Sequence, residues 1–277
     1  LKDTEAAYLA GFIEGDGSIY IGRDKGIWYR KCISIINTSE KTINYIINIL
    51  NKDNYKYTYN VSKRSRSSLH KPRHSIEIYN INDLIRLSEI INPYLISKKS
   101  RIENLINVCK GIECEKNHQE CKKMNGKSIN ILKNKDNYLD INDIIKIKNL
   151  TETQKSFISG IIDSEGSICF GFDRRRNTYT PILSFLVNTN SYLVKSIREL
   201  LKPLATLSIV KINKSNNNWN PIYDLKTRKI DNIVTLLPHF IPYLVTKKIQ
   251  GEMMLQYINK QDNNICTYIK NLNKRGI

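Results

Sequence analysis

Asp16 and Glu165 occupy matching contexts far apart in the chain, each closing an apolar stretch and each followed by glycine. The segments are Leu9-Ala10-Gly11-Phe12-Ile13-Glu14-Gly15-Asp16-Gly17 and Ile158-Ser159-Gly160-Ile161-Ile162-Asp163-Ser164-Glu165-Gly166. One carboxylate per copy implies a composite site. Two such groups forced together repel, and a divalent cation with oxygen ligands relieves the repulsion. Taken singly, either segment reads as a core helix with a C-terminal glycine and a solvated acid; the repetition is what points to chemistry.

The elements that must position these acids are the two apolar helices. Gly11 and Gly15 stand one turn apart, as do Gly160 and Ser164, and small residues at that spacing make a stripe along which two helix backbones can approach closely. Glycine costs roughly 0.8–1 kcal/mol in a helix interior relative to alanine, so close packing is the expected reason for it. Packing through the stripes brings Asp16 and Glu165 together at the end of the interface. Glu14 and Asp163, two positions earlier, face elsewhere on their helices. They read as structural polar groups whose loss harms folding more than chemistry.

The duplication extends well past the motifs. Thr4 to Tyr8 aligns with Thr153 to Phe157, and Ser18-Ile19 with Ser167-Ile168. Asn92-Pro93-Tyr94-Leu95-Ile96-Ser97-Lys98-Lys99 aligns with Ile241-Pro242-Tyr243-Leu244-Val245-Thr246-Lys247-Lys248, and the helices before it (Ile81 to Ile91, Ile230 to Phe240) align as well. Asn37-Thr38 corresponds to Asn188-Thr189 at an offset two residues larger, which predicts a two-residue insertion in the second copy's hairpin. The boundaries are a first repeat over 1–108, a linker over 109–149 and a second repeat over 150–277. Period-two stretches such as Ile19-Tyr20-Ile21 and Cys32-Ile33-Ser34-Ile35 mark half-exposed strands. Each repeat reads helix, strand, strand, helix, two strands, helix, helix: an α+β fold whose antiparallel sheet is covered by helices on one face only. The other face is left for a partner.

That partner is expected to be a polyanion. The 277 residues carry 44 Lys and Arg against 26 Asp and Glu, a formal charge of +18. Basic residues cluster on predicted strand ends and turns: Arg64, Arg66 and Arg73 in one hairpin, Arg174-Arg175-Arg176 in another. No apolar run spans a membrane and no signal peptide is recognisable at the N-terminus. The six cysteines read as reduced thiols of an intracellular protein. Cys109, Cys114, His118 and Cys121 superficially suggest zinc, but their spacing misses the usual paired knuckles. Abundant Ile, Asn, Lys and Tyr with little Ala is the residue usage of AT-rich coding sequence.

On these motifs the chain resembles the LAGLIDADG homing endonucleases of the single-chain, two-repeat kind. LAGFIEGDG lies close to the family pattern, and ISGIIDSEG is a looser copy with Ser for Ala and Glu for the usual final Asp. The resemblance implies a monomer in which two saddle-shaped sheets lie in the major groove of double-stranded DNA and the motif helices form the interface. It implies hydrolysis of both strands by Mg²⁺, with Mn²⁺ able to substitute, held by Asp16 and Glu165 and by the carbonyls of Gly15 and Ser164. It further implies that Lys98 and Lys247 polarise the site and that Asn37 and Asn188 organise water, where the family more often has Gln. A basic residue one turn later falls on Lys41 in the first copy but on Tyr192 in the second.

Strand alternation nominates the DNA-facing side chains: Ser18, Tyr20, Trp28, Arg30 and Ser34 in the first hairpin, Arg64, Arg66, Arg73 and Ser75 in the second. Arg174, Arg175, Lys211, Asn213, Lys226 and Arg228 are nominated in the other repeat. The stretch Pro181 to Val187 is apolar on both parities and leaves its face open. With the residue usage, the family points to a mitochondrial intron, or alternatively a plastid one. An RNA maturase acting on intron RNA is the alternative function, and a non-catalytic DNA-binding regulator a third; retention of both acids favours the nuclease.

Overall fold

A computed structural model describes residues 1–24, 28–62, 71–111, 150–175, 177–202, 204–210, 221–260 and 262–273; at 23–24, 28–29 and 206–210 it describes the strand path only. Arg64, Arg66, Lys211, Asn213, Cys114, His118, Cys121 and most of the linker lie outside the described residues, as does the side chain of Trp28.

The first repeat runs α1 (Asp3–Asp16), β1 (Gly17–Asp24), β2 (Trp28–Asn37), α2 (Glu40–Lys52), β3 (Thr58–Ser62), β4 (Arg73–Ile78), α3 (Ile81–Ile91), a 3-10 turn (Asn92–Tyr94) and α4 (Lys99–Cys109). The second repeats that order as α5 (Glu152–Glu165), β5 (Ser167–Asp173), β6 (Thr178–Asn188), α6 (Ser191–Leu201), β7 (Thr206–Val210), β8 (Ile222–Thr227), α7 (Ile230–Phe240) and α8 (Lys248–Lys260). It then adds α9 (Asn263–Leu272), which the sequence reading did not anticipate. Each half holds one four-stranded antiparallel sheet, ordered β1-β2-β4-β3 and β5-β6-β8-β7. No described helix is long and apolar enough to cross a membrane.

The sheets are two-faced because their strands alternate. Ile19, Ile33, Ile35, Ile76 and Ile78 are buried under the helices, whereas the pairs Ser18↔Ser34, Gly22↔Arg30, Asn60↔Ser75 and Ser62↔Arg73 share the opposite, polar face. Side-chain caps start the helices behind the sheets: Ser39 accepts from the Thr42 N–H, and Asn190 from those of Tyr192 and Leu193.

At the centre, α1 and α5 are buried almost all round, and their residues join both repeats into one continuous core. The expected small-residue seam is present in an extreme form. A Cβ added to Gly11 would lie 2.0 Å from the Phe157 carbonyl oxygen, and one added to Gly160 would lie 2.2 Å from that of Tyr8. At Gly15 it would lie 2.2 Å from Ser164 Oγ.

The two-residue insertion expected in the second hairpin is instead divided. The β5–β6 register pairs Ser167 with Ser184, which accounts for one extra residue in the turn, and a bulge between Ser184 and Leu186 holds the other. The bulge explains why Pro181 to Val187 showed no single parity. Pro181 and Leu183 point into the core before it, Leu186 does so after it, and Val187 emerges on the polar face opposite Asp224.

Alanine at Gly11 or Gly160 therefore overpacks the seam instead of improving helix propensity. Each variant should lose about 1–3 kcal/mol in urea denaturation, against a gain of roughly 0.8–1 kcal/mol for the same change on an open helix face. Unchanged stability would show that the helices part at no cost.

Candidate functional site

Each motif helix runs directly into the first strand of its sheet, so Asp16 and Glu165 sit half-buried where the helix pair meets the two sheets. Burial pushes both carboxyls up from the ordinary range, and the charge of Asp16 pushes Glu165 further. Two lysines oppose these effects in a crossed arrangement. Asp16 is held down more by Lys247 of the other repeat than by Lys98, and Glu165 more by Lys98 than by Lys247. Burial in turn pushes both ammonium groups down, against the attraction of the acids.

The lysines are anchored as helix caps, not as surface charges. Lys98 Nζ donates to the carbonyls of Ile13 at 2.5 Å, Glu14 at 2.9 Å and Gly17 at 2.8 Å. Lys247 Nζ donates to those of Ile162 at 2.5 Å and Asp163 at 2.7 Å. A cation at a helix C-terminus satisfies orphan carbonyls and complements the helix dipole. Neither lysine takes the carbonyl of Gly15 or Ser164.

Glu14 and Asp163 are buried and face the loops that carry the lysines, as befits structural groups. Glu14 accepts the N–H groups of Ile96 at 2.6 Å, Ser97 at 2.8 Å and Lys98 at 3.2 Å, together with the Ser97 hydroxyl. Asp163 accepts those of Val245 at 2.7 Å and Lys247 at 2.9 Å, together with the Tyr8 phenol at 2.9 Å. Their spacing from Asp16 and Glu165 pointed to a structural role, and the structure adds the loops that they hold.

The two asparagines differ. Asn37 Oδ1 accepts the Ser39 N–H at 2.6 Å while Nδ2 donates to Asp16 Oδ2 at 2.5 Å. Asn188 Oδ1 accepts the Asn190 N–H at 2.8 Å, but among the described residues it makes no hydrogen bond to Glu165. It follows the β6 bulge by three positions, and bulges re-aim nearby side chains. Sequence reasoning gave the two asparagines equal roles; the structure brings only Asn37 onto its acid.

The donor set fits a hard divalent ion. Among the described residues no three His, Cys, Asp or Glu side chains cluster, so a metal here has two carboxylates and must draw other oxygens from carbonyls, water or ligand. Mg²⁺ tolerates that pattern because it keeps several waters and is commonly held by one or two carboxylates. Burial first and the Asp16 charge second push the Glu165 carboxyl up, and a cation beside the two acids would offset both effects.

The polar sheet faces hold the other candidates. Ser18, Tyr20, Arg73, Arg174, Arg175 and Arg228 are exposed. Arg30 lies on this face but is tied to Glu77 and Tyr79, each at 3.0 Å, and Lys226 is paired with Asp224. Ser75 Oγ donates to the Asn60 carbonyl at 3.4 Å. Ser34 is on the same face but buried, at 7% exposure, and among the described residues its hydroxyl has no hydrogen-bond partner.

Residues 3–92 match a family described as a LAGLIDADG-like domain. Solved structures with the same fold include the LAGLIDADG homing endonuclease I-GzeII in complex with its DNA target, at TM-score 0.60 and 16% identity over 96% of each chain. I-LtrWI bound to target DNA matches at TM-score 0.61 and 16% identity over 99% of each chain. The meganuclease I-AabMI bound to uncleaved DNA matches at 0.61 and 14%, covering 96% of this chain and 97% of that one. No curated protein matches in sequence.

The two kinds of acid should respond oppositely to amide substitution. Asp163→Asn or Glu14→Gln removes charge-assisted bonds to buried N–H groups and should cost roughly 1.5–3 kcal/mol. Asp16 and Glu165 have raised pKa values when folded, so their ionised forms burden the fold above those values, and the burden fades as acidification protonates them. In chelator, Asp16→Asn should melt no lower than the parent at neutral pH, with any advantage shrinking as pH falls. Calorimetry across pH checks both; a loss in Asp16→Asn equal to that in Asp163→Asn would contradict the assignment.

Proposed function

We propose that this chain, whose first repeat is a LAGLIDADG-like domain and whose whole length has the fold of LAGLIDADG homing endonucleases, is a site-specific DNA endonuclease that hydrolyses both strands of a long duplex target. The observation that carries the reading is the meeting of one carboxylate from each repeat where the two motif helices run into the first strands of the two sheets. A protein with internal pseudo-twofold symmetry matches the approximate twofold symmetry of duplex DNA, so its two lysines fall to opposite strands.

In this reading Asp16 and Glu165 hold Mg²⁺, or Mn²⁺ in its place, with the carbonyls of Gly15 and Ser164 as further oxygen donors. Bound divalent metal supplies an activated water and stabilises charge on the phosphorus and the leaving oxygen. Lys98 and Lys247 keep positive charge beside the acids and add to that stabilisation, while Asn37 fixes the orientation of the Asp16 carboxylate. The exposed basic and polar residues of the sheets hold the duplex, mostly through phosphate. Intron mobility and an organellar home, mitochondrial before plastid, belong to the same proposal. A monomer is expected, because the helix interface that one-motif proteins form between chains lies inside this one.

The direct test is selection of cleaved molecules from a randomised duplex library. With Mg²⁺ or Mn²⁺ the recovered ends should share a long consensus cut at a fixed offset on the two strands, and Ca²⁺, with its longer bonds and looser geometry, should give none. Asp16→Asn and Glu165→Gln should each lose the products while binding the selected duplex within about tenfold of the parent, a change of at most ~1.4 kcal/mol. Binding of intron RNA without any cleavage of DNA would favour the maturase.

Affinity should also fall steeply with salt, at about −0.9 in log K per log salt for each phosphate neutralised. A flat titration would contradict groove binding by this +18 chain.

A further inference from the structure

Each lysine arrives on a short loop pinned by a buried carboxylate, but the two carboxylates are satisfied differently. Glu14 finds all its partners inside its own repeat: three successive N–H groups from 96–98 and the hydroxyl of Ser97. Asp163 has one methylene fewer. Its Oδ1 accepts the Lys247 N–H at 2.9 Å, and its Oδ2 accepts the Val245 N–H at 2.7 Å. The hydroxyl that completes it comes from across the interface, from Tyr8 at 2.9 Å.

Thr246, the counterpart of Ser97, turns its hydroxyl the same way. It bonds Ser39 at 2.9 Å and also Thr42, both in the first turn of α2 and its cap. The loop at 245–247 is thus braced from the first repeat at two points. The loop at 96–98 has no such brace among the described residues, and the symmetry mate of Tyr8 is Phe157, which lacks the hydroxyl.

We infer that Tyr8 is a positioning residue for Lys247, so that the first repeat sets the geometry of the second repeat's lysine without the reverse holding. This rests on the endonuclease reading, in which the two lysines serve opposite strands. Burial and the Asp163 charge push the Tyr8 phenol well up, which keeps it a donor throughout the working pH range. Phenylalanine at position 8 is compatible with the helix pairing, since Phe157 already fills the equivalent place.

The test compares Tyr8→Phe with Ser97→Ala on a supercoiled plasmid carrying the selected target. Tyr8→Phe should slow cutting of one strand about tenfold, the scale of a lost hydrogen bond to a buried charge, and accumulate circles nicked always in the other strand. Ser97→Ala should leave the opposite strand intact, and plasmid binding should be unchanged in both. Amide hydrogen exchange on the free protein gives a second readout: 245–247 should exchange faster in Tyr8→Phe and 96–98 in Ser97→Ala. A parent that cuts no DNA would sink the endonuclease reading and leave the exchange pattern to decide the brace. Equal slowing of both strands by both variants, or exchange raised alike at both loops, would overturn it.

Discussion

The structure depends on the contact between two helix backbones. Gly11 and Gly160 bring α1 and α5 so close that a single methyl group would collide with a carbonyl oxygen of the opposing helix. That approach fixes where both helices end, and their ends carry Asp16 and Glu165. The site is therefore a consequence of packing: with the seam closed, two acids meet that would otherwise lie in separate half-molecules. Their meeting is unfavourable in itself, since burial and mutual repulsion both oppose ionisation.

The surrounding polar groups compensate in layers. Lys98 and Lys247 cap the motif helices and supply positive charge, each acting more strongly on the acid of the other repeat. Behind them, Glu14 and Asp163 hold the backbone of the lysine loops. One short stretch of helix thus carries both the acid proposed to do chemistry and the acid that holds the loop of its cationic neighbour, pointing to different sides. The same ammonium groups cap the helices and set the charge beside the acids, so a lysine variant would disturb the helix end as well as the charge.

The sequence made the helix pair, the duplication and the α+β architecture legible because these rest on repetition and periodicity. Asp16 and Glu165 were legible for the same reason. What stayed hidden depends on register and on partners distant in sequence. The bulge at Phe185 was invisible because an apolar residue fits either face, and with it went the different placement of Asn188. Tyr8 and Asp163 lie 155 positions apart and carry no local sign of their contact. On the sheet face, alternation put Ser34 and Arg30 on the polar side but carried no sign of the burial of the one or the ion pair of the other.

The central claim is that one carboxylate from each repeat joins in holding divalent metal. Mn²⁺ binding to the chain on its selected duplex, followed by electron paramagnetic resonance, tests it most directly. The account predicts that Asp16→Asn and Glu165→Gln each release bound Mn²⁺ while the protein stays folded on DNA. Bound Mn²⁺ that survives the loss of either acid would contradict it.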